Sequence, residues 1–111
     1  MSRRRGFQLH PEAAQDITDI WEYVAAEDPL AASAVREDIL ETVHSLLHFP
    51  NRGHRRPDLT ARPLRFIRVR DYLIAYAPDE DPLWVIAVLH GKRDPRILAA
   101  ILRSREEQQE L

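Results

Sequence analysis

Hydrophobic and polar positions alternate at the start of the chain. Phe7 and Leu9 are interleaved with Gln8 and His10, the two-residue period of a short strand. The period then lengthens. Ile17, Ile20, Trp21 and Val24 recur at i, i+3, i+4 and i+7, which predicts one amphipathic helix over residues 12–26. Pro11 suits the first helical position, and Glu12 and Asp16 suit the positive end of the helix dipole. The polar side of this helix carries Asp16, Asp19, Glu22 and Tyr23. Asp28 and Pro29 form an N-cap and first-turn pair. The apolar stripe Ala32, Val35, Ile39, Val43, Leu46 and Leu47 follows and stops before Pro50. Two helices joined by so short a turn run antiparallel as a hairpin.

Residues 50–63, PNRGHRRPDLTARP, have no periodicity and read as a basic loop. Three apolar runs come next, at 64–69, 72–77 and 83–90, rich in aromatic and β-branched residues and separated by short polar breaks. They predict an antiparallel three-stranded meander. Both parities of the last run are apolar, as expected of a central strand covered on both faces. Ile97, Leu98, Ile101 and Leu102 space as a short helix after Pro95, and the tail SREEQQEL reads as frayed. The fold class is therefore α+β: an N-terminal strand, an antiparallel helical hairpin, a three-stranded antiparallel meander and a short C-terminal helix. The hairpin covers one face of the sheet. The other face needs the terminal helix or a partner.

Composition narrows the class of protein. The 111 residues, 44% hydrophobic with three Gly, are expected to form a single domain over 1–111, flexible at 1–6 and 104–111. The absence of Cys excludes disulfides and thiolate metal sites. No apolar run is long enough to span a bilayer, and MSRRRGFQLH lacks the apolar core of a signal peptide, so a cytoplasmic location is expected. The net charge of −2 hides a segregation. Residues 12–49 hold nine acidic residues and one basic, Arg36; residues 50–71 hold seven arginines and two aspartates. Lys92, Arg93, Arg96, Arg103 and Arg105 add to the basic half. Such segregation points to a basic surface facing an anionic partner.

The chemistry-bearing stretch is VLHGKRDPRI, residues 88–97. His90 shares its parity with Trp84, Ile86 and Val88, and so continues one face of the last strand. Gly91 supplies turn freedom, Asp94 caps the helix opened by Pro95, and Lys92 and Arg93 are left projecting. His44 and His48 lie one helical turn apart, but no third ligand pairs with them by pattern, so no metal and no cofactor is expected. Neither a helix-turn-helix nor a zinc-finger pattern is present, so no direct sequence-specific nucleic-acid binding is expected.

Taken in order, these residues resemble the ParE branch of the RelE/ParE superfamily, toxins of type II toxin–antitoxin pairs. The resemblance spans about residues 7–102. It is carried by LHPEAAQDITDIWEYVAAEDPLAA, FPNRGHRRPDL, the strand from Arg65 to Val69, YLIAY at 72–76 and VLHGKRD. It implies a toxin neutralised by a cognate ParD-like antitoxin in a hetero-oligomer, with DNA gyrase as the target and plasmid stabilisation or growth inhibition as the outcome. Members of the RelE branch instead cleave mRNA on the ribosome, using sheet arginines and a C-terminal tyrosine or lysines. Here no tyrosine follows Tyr76, and Leu73 stands where a sheet arginine is typical. His90, Lys92, Arg93 and Arg65 are the only substitute set for a nuclease, so a non-enzymatic toxin is expected. Arg65, Arg68, Arg70, Lys92 and Arg93 are the expected contacts to antitoxin or target. A degenerate homologue that only binds antitoxin is the remaining possibility.

Overall fold

The computed structural model describes residues 6–109, with side chains up to Arg105. The elements follow in the order β1 (Phe7–Leu9), α1 (Pro11–Ala25), α2 (Pro29–Ser45), β2 (Arg65–Val69), β3 (Tyr72–Ala77), β4 (Leu83–His90) and α3 (Pro95–Gln109). Local chemistry sets the boundaries. His10 caps α1, its Nδ1 accepting from the Glu12 amide at 3.0 Å. Asp28 caps α2, accepting from the Leu30 and Ala31 amides at 3.1 Å each, with Pro29 in the first turn. Asp94 accepts from the Arg96 amide at 2.8 Å and starts α3.

The sheet order is β1-β4-β3-β2. The meander β2–β3–β4 is antiparallel as expected, and β1 pairs parallel to β4 from Phe7↔Leu83 to Leu9↔Val85, which makes β4 central over that stretch. The connection between β2 and β3 is two residues, with Arg70 in the left-handed region at φ 54°. The β3–β4 register shifts between Ala75 and Tyr76: Ala75 faces Ala87, while Tyr76 faces Val85. Ile86 is thus an extra residue, a bulge. Beyond it the inward and outward parities of β4 exchange.

One core lies under α1 and α2, where Ala13, Ile17, Val35, Ile39, Val43 and Leu46 meet Ile74, Tyr76, Leu83, Val85 and Val88. A second lies on the opposite face, where Leu98 and Leu102 of α3 and Leu59 and Leu64 of the long loop meet Phe66, Ala75, Ile86, Ala87 and Leu89. The second face is therefore covered by the chain's own terminal helix, and the open face considered from sequence is absent. Burying Leu98 and Leu102 alone removes enough apolar surface to favour this docking by about 1.5–3 kcal/mol each.

The C-terminal helix is longer than its apolar spacing suggested, reaching Gln109. Near its C-terminal end it carries an ion pair. Arg105, expected on the exposed basic surface, is 7% exposed. Its guanidinium meets both carboxylate oxygens of Asp16, at 2.6 and 2.9 Å, and donates to the Ile86 carbonyl at 3.1 Å. Asp16 in turn accepts from the Val88 amide at 2.9 Å. β1 stops pairing at Val85, so the edge of β4 beyond it would hold unpaired polar groups. Asp16 and Arg105 fill that role, and they clasp α1 to α3 around the edge. Asp16 does not sit on an outward polar side. Conversely Trp21, expected in the buried stripe, is 37% exposed.

Candidate functional site

The long loop from Pro50 to Pro63 is anchored rather than free. The hydroxyl of fully buried Tyr76 accepts from the Gly53 amide at 2.9 Å and donates to the Pro50 carbonyl at 2.7 Å. Burial pushes the Tyr76 phenol above its ordinary pKa. A Cβ on Gly53 would lie 2.7 Å from both the Phe66 carbonyl oxygen and that hydroxyl, so glycine is required there. Arg65 belongs to the same anchor, since its Nη1 donates to the Gly53 carbonyl at 2.7 Å.

The other sequence-singled residues gather at the far end of the strands. Tyr72 pairs with His90, and their rings meet edge to face with centroids 5.7 Å apart. Burial, and then the Asp71 charge, raise the Tyr72 pKa. Because of the Ile86 bulge, His90 shares its face with Val88 and Tyr72 on the side of the helical pair. It does not share a face with Trp84 and Ile86, as an unbroken parity would require. The His90 Nδ1 accepts from the Lys92 amide at 3.3 Å. The Gly91 amide donates to the Asp71 carbonyl at 2.8 Å and ties the two turns together.

Arg68, Lys92 and Arg93 are exposed at this end. Arg70 is nearby in sequence but committed to Asp38 of α2 at 2.7 Å. The structure thus sets Arg68 close to the Gly91 turn that carries Lys92 and Arg93, keeps His90 on the opposite face of the sheet from Arg68, and leaves Arg65 apart. Arg65 pairs with Tyr76 and His90 with Tyr72, four residues away along β3. At ~3.3 Å rise per residue that separation is about 13 Å along the strand before any sideways distance is added. A phosphoryl-transfer site needs base, acid and cation within hydrogen-bond reach of one substrate. His90 and Arg65 do not converge in that way.

An open groove of about 870 Å³ runs between α1 and α3. Glu12, Asp16 and Asp19 form one wall, Arg93, Asp94 and Arg96 the other, and Leu89, Ile97 and Ile101 the floor. Asp94 is held below its ordinary pKa by the Arg96 guanidinium at 2.8 Å. Buried His10, in edge contact with Trp84, has its pKa lowered by burial and then by the Arg105 charge. The Asp16–Arg105 clasp beside this groove was missed from sequence, although one signal existed. Arg105 stands at i+7 from Leu98 and i+3 from Leu102, on the apolar stripe of its helix.

A family model described as the ParE toxin of type II toxin–antitoxin system, parDE, matches residues 7–95, all elements up to the first residue of α3. A comparison with curated proteins gives no match. Among solved structures, one titled "Chromosomal ParDE TA system from P. aeruginosa" is similar in fold, with a TM-score of 0.64 and 22% identity. The match covers 80% of this chain and 98% of that chain. No helix among the described residues is long and apolar enough to cross a membrane.

Proposed function

For a chain that belongs to the ParE toxin family of type II toxin–antitoxin systems, we propose a cytoplasmic toxin that is held inactive by direct binding of a ParD-like antitoxin. In its free form it inhibits DNA gyrase, and so blocks replication, without catalysing a reaction of its own. The observation that carries the non-enzymatic part of this reading is the dispersal of the nuclease set. Arg65 is spent on the Gly53 carbonyl, about 13 Å along the strand from the rung of His90. His90, for its part, is engaged through Nδ1 by its own turn. What remains at the strand ends is charge rather than an acid–base pair.

Contacts to antitoxin or target are assigned to Arg68, Lys92 and Arg93. Arg65 and Arg70, grouped with them by sequence, serve the loop anchor and the Asp38 bridge first. Cationic side chains of this kind speed encounter with an anionic partner more than they add affinity. The gyrase part of the reading is tested with purified gyrase and supercoiled plasmid. The toxin should arrest supercoiling or trap cleaved DNA, and its antitoxin should reverse the effect. Truncated mRNA on induced expression, with gyrase unaffected, would overturn the reading in favour of a ribosome-dependent endoribonuclease. No growth defect at all would leave a chain that only binds antitoxin. For the contact surface, Arg68→Glu with Lys92→Glu should slow association with the antitoxin and flatten its salt dependence.

A further inference from the structure

Three unneutralised cations meet at one corner of the molecule. Arg68 pairs with Leu73 across β2–β3, and Leu73 with Leu89 across β3–β4, so its side chain leaves the sheet on the α3 side. It then reaches across the strand ends until its Nη2 lies 3.4 Å from where a Cβ on Gly91 would stand. That places the guanidinium against Gly91, the residue that precedes the exposed Lys92 and Arg93 in the same turn. Among the described residues no carboxylate pairs with any of the three. Two nearby acids are already taken, Asp94 by Arg96 at 2.8 Å and Asp38 by Arg70 at 2.7 Å, which leaves the exposed Asp71 of the β2–β3 turn as one carboxylate against three cations. Gathered like charges raise the local potential until an anion neutralises them.

The surroundings decide which anion. An acidic peptide binds durably when apolar anchors accompany its charges. The exposed large apolar side chain nearest this corner in the chain is Ile97, and it lines the α1–α3 groove with Glu12, Asp16 and Asp19 on one side and Arg93 and Arg96 on the other, Asp16 being paired with Arg105. A peptide that used Ile97 as its anchor would bring its carboxylates toward Asp19, the acid of that groove with no ion pair among the described residues. A phosphodiester backbone needs no apolar anchor and engages cations singly, by charge and hydrogen bonds. We infer that Arg68, Lys92 and Arg93 bind the phosphodiester backbone of nucleic acid without reading its sequence. This inference rests on the contact surface proposed above and concerns the antitoxin-free chain, in which those cations are open to a nucleic-acid backbone.

The test is fluorescence anisotropy of the full chain with three labelled probes over a range of salt: a DNA duplex, one of its single strands, and polyglutamate. Neutralising three phosphates gives a slope of log K against log salt of about −2.7 for duplex or about −2.1 for single strand. Binding should then tighten roughly 20- to 40-fold between 200 and 50 mM salt. Whichever nucleic-acid arm binds tighter identifies the physiological form. The variant Arg68→Gln, Lys92→Gln, Arg93→Gln should lose the slope while keeping its melting temperature, because all three side chains are exposed. Arg36→Gln, which removes a charge on α2, should leave the slope unchanged. Polyglutamate binding as tightly as DNA would overturn the inference, as would salt-independent binding or retention of the slope by the triple variant. The gyrase assay is read separately. A chain that binds DNA but spares gyrase keeps this inference and sinks the gyrase reading, and the converse result sinks only this inference.

Discussion

Replacing Arg105 with alanine is the sharpest perturbation of this fold. The side chains of Arg105 and Asp16 are 9% and 14% exposed, so the pair is desolvated and screened little by solvent. Removing the guanidinium strips Asp16 of two charge-assisted bonds, at 2.6 and 2.9 Å, and strips the Ile86 carbonyl of its donor at 3.1 Å. Breaking a buried pair by deleting one partner costs about 3–5 kcal/mol, because the other charge stays buried and uncompensated. Asp16 keeps the Val88 amide and borders the open α1–α3 groove, which places Arg105→Ala near the lower figure, about 3 kcal/mol. At about 4–8 °C per kcal/mol for a domain near this size, the melting temperature should drop by roughly 12–24 °C. Urea unfolding followed by circular dichroism measures the loss, and a cycle with Asp16→Ala isolates the pairwise part. The coupling energy should fall between about 1 and 3 kcal/mol. A loss below about 1 kcal/mol for Arg105→Ala, or additive single effects, would refute the clasp.

Other consequences are smaller or differently signed. Gly53→Ala places a Cβ 2.7 Å from backbone and hydroxyl oxygens and should cost about 1–3 kcal/mol or more. Tyr76→Phe should cost about 1–3 kcal/mol by leaving the Gly53 amide unsatisfied, seen as faster hydrogen exchange at that amide. Buried His10 has its pKa depressed below the ordinary 6.5, so on acidification the unfolded chain takes up the proton first. Its contribution is therefore intact above about pH 6.5 and declines as pH falls through the depressed folded value. His10→Asn, which still caps α1 but does not titrate, should flatten the stability–pH curve in that window. Arg70→Gly loses an ion pair that is 47% and 44% exposed but relieves a left-handed φ of 54°, so stability should change by less than about 1 kcal/mol in the same urea assay.

Much of this fold is legible locally. The Ile17, Ile20, Val24 stripe and the Ala32–Leu46 stripe mark two helices because a 3.6-residue period has no other reading. Asp28-Pro29 starts the second helix, and the breaks at Arg70-Asp71 and Pro78–Pro82 separate strands whose antiparallel order follows from their short connections. The functional stretch is harder. Parity counted from Trp84 puts His90 on one face, and one bulged residue, Ile86, puts it on the other. A bulge has no local sequence signature here, since it is created by the pairing of β4 with β3. Arg105 looked like one more surface cation, because nothing in its neighbours announces a carboxylate 89 residues away.

By itself, then, the order of residues determined the elements, their order, the antiparallel meander and the resemblance to ParE toxins. All of these rest on spacing within about one helical turn or one strand, and on motif order. The tertiary structure alone decided which charges are free. Arg65, Arg70 and Arg105 are consumed by the Gly53 carbonyl, Asp38 and Asp16, whereas Arg68 is carried across the sheet to the Gly91 turn of Lys92 and Arg93. A cation's role depends on its nearest opposite charge in space, and that neighbour is set by packing over long sequence separations.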